Sequence, residues 1–111
     1  MKLQDESVYV GQLTTIGRKT GQKRTVELRL VYNRGHFYAT TSQVETKHWC
    51  RNMIKNPAVE VSVAGQDLHC EAREVTDEKL RRRVLILRDS PDLSDRVVFE
   101  ITPSPKDANL T

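Results

Sequence analysis

A chain of 111 residues is long enough to close one core and too short to divide comfortably into two, so one domain over 1–111 is expected, with about 1–7 and 103–111 as polar tails. With 37% hydrophobic and 30% charged residues the core should be thin, and burial against a second copy would help it. The 18 basic and 15 acidic side chains leave a net charge of +3, which favours anionic partners but is too mild to select nucleic acid, and no apolar run approaches the length that spans a bilayer.

Met1 to Ser7 carries no apolar run behind Lys2, so a soluble, cytoplasmic protein is expected. Val8 to Ile16 and Thr25 to Tyr32 read as strands, the second with Val26, Leu28 and Leu30 on one face and Glu27 and Arg29 on the other. Between them, Gly17 to Arg24 forms a turn whose two glycines can take positive φ. Asn33-Arg34-Gly35 turns the chain again into a third strand, His36 to Ser42. From Glu45 to Lys55, Trp49, Met53 and Ile54 recur at helical spacing, with Thr46 as the N-cap and Asn56-Pro57 as the stop.

Val59, Val61 and Val63, then Leu68, Cys70 and Ala72, alternate with polar residues on either side of Ala64-Gly65-Gln66-Asp67, the pattern of a second hairpin. Thr76-Asp77-Glu78 opens a second helix with Leu80, Val84 and Leu87 on one stripe. Arg81, Arg82, Arg83 and Arg88 fall mostly off it and read as a solvated face. Asp89-Ser90-Pro91-Asp92 ends that helix, and Arg96 to Thr102 is the last strand. The order β-β-β-α-β-β-α-β is that of an antiparallel, barrel-like α+β fold, because strands and helices do not alternate as a doubly wound sheet requires.

The chemistry is concentrated in the first turn. Arg18, Lys19, Lys23 and Arg24 surround it, Thr20 adds a hydroxyl, and the glycines let backbone N–H groups turn inward, an arrangement suited to a phosphate or carboxylate. A solvated basic loop that binds nothing is the competing reading. The nucleotide-hydrolase loop is excluded: Gly17 to Gly21 is one residue too short, Gln22 separates the second glycine from Lys23, and a strand follows where a helix is needed. Cys50 and Cys70 form no Cys-x-x-Cys pair, and His36, His48 and His69 lie on three elements without metal-ligand spacing, so two reduced thiols and no metal are expected.

The run Leu13 to Val26, followed by Gly35 to Ser42, Trp49, Asn52, Asn56-Pro57 and Val59 to Thr76, resembles the deazaflavin-dependent nitroreductase family over most of the chain. That resemblance implies a split β-barrel related to flavin mononucleotide (FMN)-binding proteins, a homodimer, and coenzyme F420, with FMN as the alternative. By position it assigns Arg18, Lys19, Thr20 and Arg24 to the cofactor's phosphate and acidic tail, and Thr25, Val26 and Glu27 to the adjoining strand. Ser42 and Gln43 would lie under the ring system, with Ser42 donating a hydrogen bond near the reactive carbon. Trp49 and Asn52 would pack beside the cofactor.

The chain departs from that family at three places. Glu27 stands where proline is common, Val44-Glu45 replaces glycines, and no tyrosine follows Tyr38, so the tyrosine cluster that positions nitro-aromatics is missing. The implied function is an F420-dependent oxidoreductase that passes a hydride to a small electrophilic or quinone-like molecule. The alternatives are an FMN-binding oxidoreductase or a non-catalytic cofactor carrier. Nucleic acid ranks last, because six Phe, Trp and Tyr residues give little aromatic surface for stacking.

Overall fold

The structure, a computed structural model, describes residues 3–42, 47–89 and 96–105. Six strands, β1 (Ser7–Ile16), β2 (Lys23–Asn33), β3 (His36–Thr41), β4 (Ala58–Val63), β5 (Gln66–Glu74) and β6 (Val97–Pro103), close an antiparallel barrel in the order β1-β2-β3-β6-β5-β4. Two helices, α1 (His48–Lys55) and α2 (Glu78–Leu87), pack on it. This is the split-barrel α+β architecture and the element order expected from sequence. Of the tails expected at 1–7 and 103–111, residues 3–7 and 103–105 are described: Leu3 is buried in the core cluster, Ser7 opens β1 and Pro103 closes β6, so none of these three belongs to a loose tail.

Period-two alternation sorts each strand into an inner and an outer face. Leu13, Leu30, Phe37, Val61, Leu68 and Ile101 fill the interior, with Val26 and Leu28 packed against them, while Glu27 and Arg29 face outward. A smaller cluster lies outside the barrel, where Val31, Tyr38 and Val98 are covered by Val84 and Leu85 of α2. The hairpin turns use left-handed backbone where expected: Arg34 and Gly35 have φ of 52° and 85°, and Ala64 and Gly65 have 50° and 77°. That pairing matches the twist of the flanking strands.

Both helices differ in detail from expectation. α1 begins at His48 rather than Glu45; Thr46 lies outside the described residues, and Lys47 occupies the N-cap without a side-chain bond. The C-terminal stop is as read, with Asn56 extended before Pro57, as a residue preceding proline must be. In α2 the Asp77 side chain accepts the Lys79 N–H (3.0 Å) and so caps the helix. Arg82 and Arg83 are exposed, but Arg81 is not part of a solvated face: its side chain is 16% exposed, bonds Glu78 and donates to the Arg96 carbonyl (2.9 Å). Its long stem lets it fold back along the helix toward β6.

Both cysteines are free and buried, and burial pushes the Cys50 thiol up to about 12, so it is protonated and inert at neutral pH. Glu100 on β6 is also buried, and its carboxylate is bracketed by its two cross-strand neighbours. Tyr38 Oη donates to Oε2 (2.9 Å), and Arg73 Nε and Nη2 reach Oε1 at 2.8 and 2.7 Å. Burial first, then the bond to Glu100 and its charge, raise the Tyr38 phenol above its ordinary 10.0. The folded chain thus holds that proton more tightly than the unfolded chain, so its contribution is complete below pH 10 and fades as pH rises toward the folded value. Tyr38→Phe is expected to flatten the alkaline loss of stability and to cost about 1 kcal/mol at neutral pH, read from urea midpoints between about pH 8 and about pH 11.

Candidate cofactor site

The β1–β2 ladder is the longest in the barrel and runs to Ile16 opposite Lys23, whereas β1 pairs with β4 only over Gln12–Thr14. The tip of the hairpin therefore overhangs the barrel. The ladder reaches two residues further than the sequence suggests, so Lys23 and Arg24 belong to β2 and the turn narrows to residues 17–22. Gly17 N–H bonds the Gln22 carbonyl (2.7 Å) and Gly21 N–H bonds the Gly17 carbonyl (2.8 Å). Gly21 takes positive φ (73°); Gly17 does not, but a Cβ there would stand 2.9 Å from Thr20 Oγ1 and 3.1 Å from the Gln22 carbonyl. One glycine supplies the left-handed conformation and the other the room for the turn to close.

Helix α1 docks under this tip through Asn52, which is 3% exposed. Its Oδ1 accepts from Arg18 Nη1 (2.9 Å) and Arg18 N (3.3 Å), while its Nδ2 donates to Thr15 Oγ1 (3.4 Å). One amide thus fixes both the backbone and the guanidinium of the first cation. Asn52→Ala is expected to destabilise the fold by about 1–3 kcal/mol, the cost of leaving buried partners unmet. It should also weaken cofactor binding without changing the number of cations, which separates positioning from charge in a paired melt and titration.

Between hairpin and helix lies a cleft of about 710 Å³ lined by Gly17, Arg18, Lys19, Thr20, Lys23, Arg24, Thr25, Val26, His48, Trp49 and Asn52. The volume is that of a site for a drug-sized or cofactor-sized molecule. Four of the lining residues carry a fixed positive charge and none is acidic. Lys23 Nζ is held by Glu60 at 3.2 and 3.3 Å, so part of its charge is spent inside the chain. Among the described residues no ion pair involves Lys19 or Arg24. Trp49 is both core and wall, with 8% exposed surface bordering the cleft.

Eight of the residues singled out from sequence, Arg18, Lys19, Thr20, Arg24, Thr25, Val26, Trp49 and Asn52, thus come together on one cleft. Glu27 does not: it shares the outer face with Thr25 but stands further along β2 from the hairpin tip, where it borders a separate depression with Val10, Gln12 and Asp67. Ser42 follows β3, is exposed and is not part of the lining, and Gln43 lies outside the described residues. Lys23, read from sequence as one of the four cations of the turn, lines the cleft too, and so does His48, which was not assigned to it. The signal for His48 was its spacing, four residues before Asn52 and next to Trp49, which puts all three on neighbouring positions of one helix face. Among the described residues no group of three His, Cys, Asp or Glu side chains could hold a metal ion.

The fold is a split barrel with a cationic cleft at its rim that no acidic residue lines. Residues 3–97 match the F420H(2)-dependent quinone reductase family, and the chain belongs to that family. Similar solved structures include an F420-H2 dependent reductase (24% identity, 91% of this chain and 98% of that one, TM-score 0.66). A FAD-binding protein from Mesorhizobium loti is also similar (27% identity, 86% and 81%, TM-score 0.67). So is a protein described as a domain-swapped dimer (23% identity, 91% and 84%, TM-score 0.65). Family membership makes this chain an F420-dependent reductase and coenzyme F420 its cofactor. The lining fits that group, because a phosphate and a polycarboxylate tail need several cations with no competing acid.

Proposed function

We propose that the chain reduces a small electrophilic or quinone-like molecule, with the 17–24 hairpin anchoring the anionic end of F420 and α1 walling its ring system. The observation that carries this reading is the convergence of Arg18, Lys19 and Arg24 with Trp49 and Asn52 on one cleft. When bound, reduced F420 supplies a hydride. The residues of the chain bind and orient: Lys19 and Arg24 meet the phosphate and acidic tail, Arg18 is aimed by Asn52, and Trp49 shields one side from water. His48, at the helix start, is within the same wall and can donate a hydrogen bond to what enters beside the ring.

Assembly as a homodimer fits this reading, since Val8 and Val10 on the outer face of β1 are 40% and 59% exposed and a structural neighbour is a dimer. The test is a parallel titration with F420 and FMN, followed by Trp49 fluorescence, and then by turnover of a simple quinone. Tight F420 binding with quinone-dependent oxidation of F420H2 is the expected result. Preference for FMN would move the chain to the flavin side of the fold, as the similarity to a FAD-binding protein allows. F420 binding without turnover of any electrophile would leave a cofactor carrier.

A further inference from the structure

Away from the cleft, three arginines converge on one end of the cluster beneath α2. Val31 of β2, Val98 of β6 and Val84 of α2 are fully buried there. Arg29 stands two residues before Val31 and Arg96 two before Val98; β2 and β6 both run antiparallel to β3 between them, so the two arginines lie toward the same end of the sheet. Arg88, the C-cap of α2, follows Val84 by four residues and so continues its stripe. The bond from Arg81 to the Arg96 carbonyl ties the helix to the entry of β6.

These cations are poorly served. The Nε atoms of Arg88 and Arg96 are buried without a hydrogen bond, and among the described residues no ion pair includes Arg29, Arg88 or Arg96. Burial first, then the charges of Arg29 and Arg96, weaken the hold of the Arg88 guanidinium on its proton, and Asp89 opposes them. A folded chain that gathers like charges and buries their donors gains when an anion fills the gap.

We infer that Arg29, Arg88 and Arg96 form a second anion site, separate from the hairpin cleft, which takes a phosphate-type dianion. Three guanidiniums rooted on two strands and a helix approach from different directions. A tetrahedral oxyanion offers each of them an oxygen, whereas the two oxygens of one carboxylate are used up by a single fork. Along β2, Arg29 is five residues from Arg24, roughly 17 Å at strand rise, so one phosphate cannot bridge the two sites.

The test uses the full chain labelled with nitrogen-15 and follows the arginine Nε–Hε signals as inorganic phosphate is exchanged for chloride at fixed ionic strength. The Arg88 and Arg96 signals are expected to shift and saturate, and to do so equally in the Lys19→Ala/Arg24→Ala variant. Arg29→Gln, a change at an exposed strand position, is expected to weaken that response about tenfold, the loss of one charge-assisted hydrogen bond. Tighter saturation by phenyl phosphate than by inorganic phosphate would assign a phosphorylated small molecule, and the reverse the free ion. A non-saturating drift, or full affinity in Arg29→Gln, would overturn the site. So would signals already displaced without phosphate and unmoved by it, because the donors would then be met by a carboxylate of the chain such as Asp92 or Asp95.

Discussion

Replacing Lys19 and Arg24 together by alanine is expected to weaken F420 binding about a hundredfold or more, because each charge-assisted hydrogen bond to an anion contributes about 1.5–3 kcal/mol and about 1.4 kcal/mol is a factor of ten. The lower end of that range applies, since both side chains are exposed to water. The fold should be unaffected: among the described residues neither cation is paired with an acid, so their removal relieves repulsion rather than breaking a bond. Lys23→Ala should cost less affinity, because Glu60 already holds that ammonium at 3.2 Å. Binding is read by Trp49 fluorescence at two salt concentrations, and the double variant should show the shallower salt dependence. Affinity within twofold of the parent would remove the hairpin from the cofactor site.

The largest effect on stability is expected at Phe37. Its side chain is fully buried in the barrel interior, with the Tyr32 ring 5.1 Å away in a tilted contact. Phe37→Ala removes most of that volume from a site whose walls are strands paired on both sides, so the gap cannot close by local movement. A loss of about 3–5 kcal/mol is expected, a large part of the total stability of a domain this size. Ile86→Ala is the control: Ile86 is 55% exposed, and the change should stay within about 0.5 kcal/mol. Urea denaturation of both variants decides the matter, and equal midpoints would mean that Phe37 is not part of the core.

The two expectations rest on different kinds of information. Phe37 lies in the run His36 to Thr41, whose β-branched and aromatic residues name the strand by propensity, while the closed barrel decides that Phe37 faces the interior and Tyr38 the outside. Lys19 and Arg24 are legible as cations around a glycine-bearing turn, but nothing in the linear pattern separates a binding hairpin from a solvated loop. What the linear pattern does not show is that Asn52, thirty-four positions away from Arg18, is in hydrogen-bonding contact with it and fixes that cation at the hairpin.

The arginine run of α2 shows the same boundary from the other side. Helical periodicity separates Arg81, Arg82 and Arg83 from the apolar stripe, and by that rule all three should be solvated. Arg82 and Arg83 are; Arg81 is drawn to the carbonyl of Arg96, the residue that leads into β6. A similar turn of geometry sets Glu27 outside the cleft although its neighbours Thr25 and Val26 line it.

By itself the amino-acid sequence determined the element order, the alternating faces of β2, β4 and β5, the positions of the hairpin turns and the cationic character of the first of them. These depend on periodicity, turn chemistry and composition, which are local. Only the tertiary structure decided which cations have acids beside them, that His48 and Trp49 share one wall with the hairpin, and that Arg29 and Arg96 stand near enough to Arg88 for their charges to act on it. Those facts depend on barrel closure and on the register of strands distant in sequence, and pairwise distances of that kind leave no periodic trace in the chain.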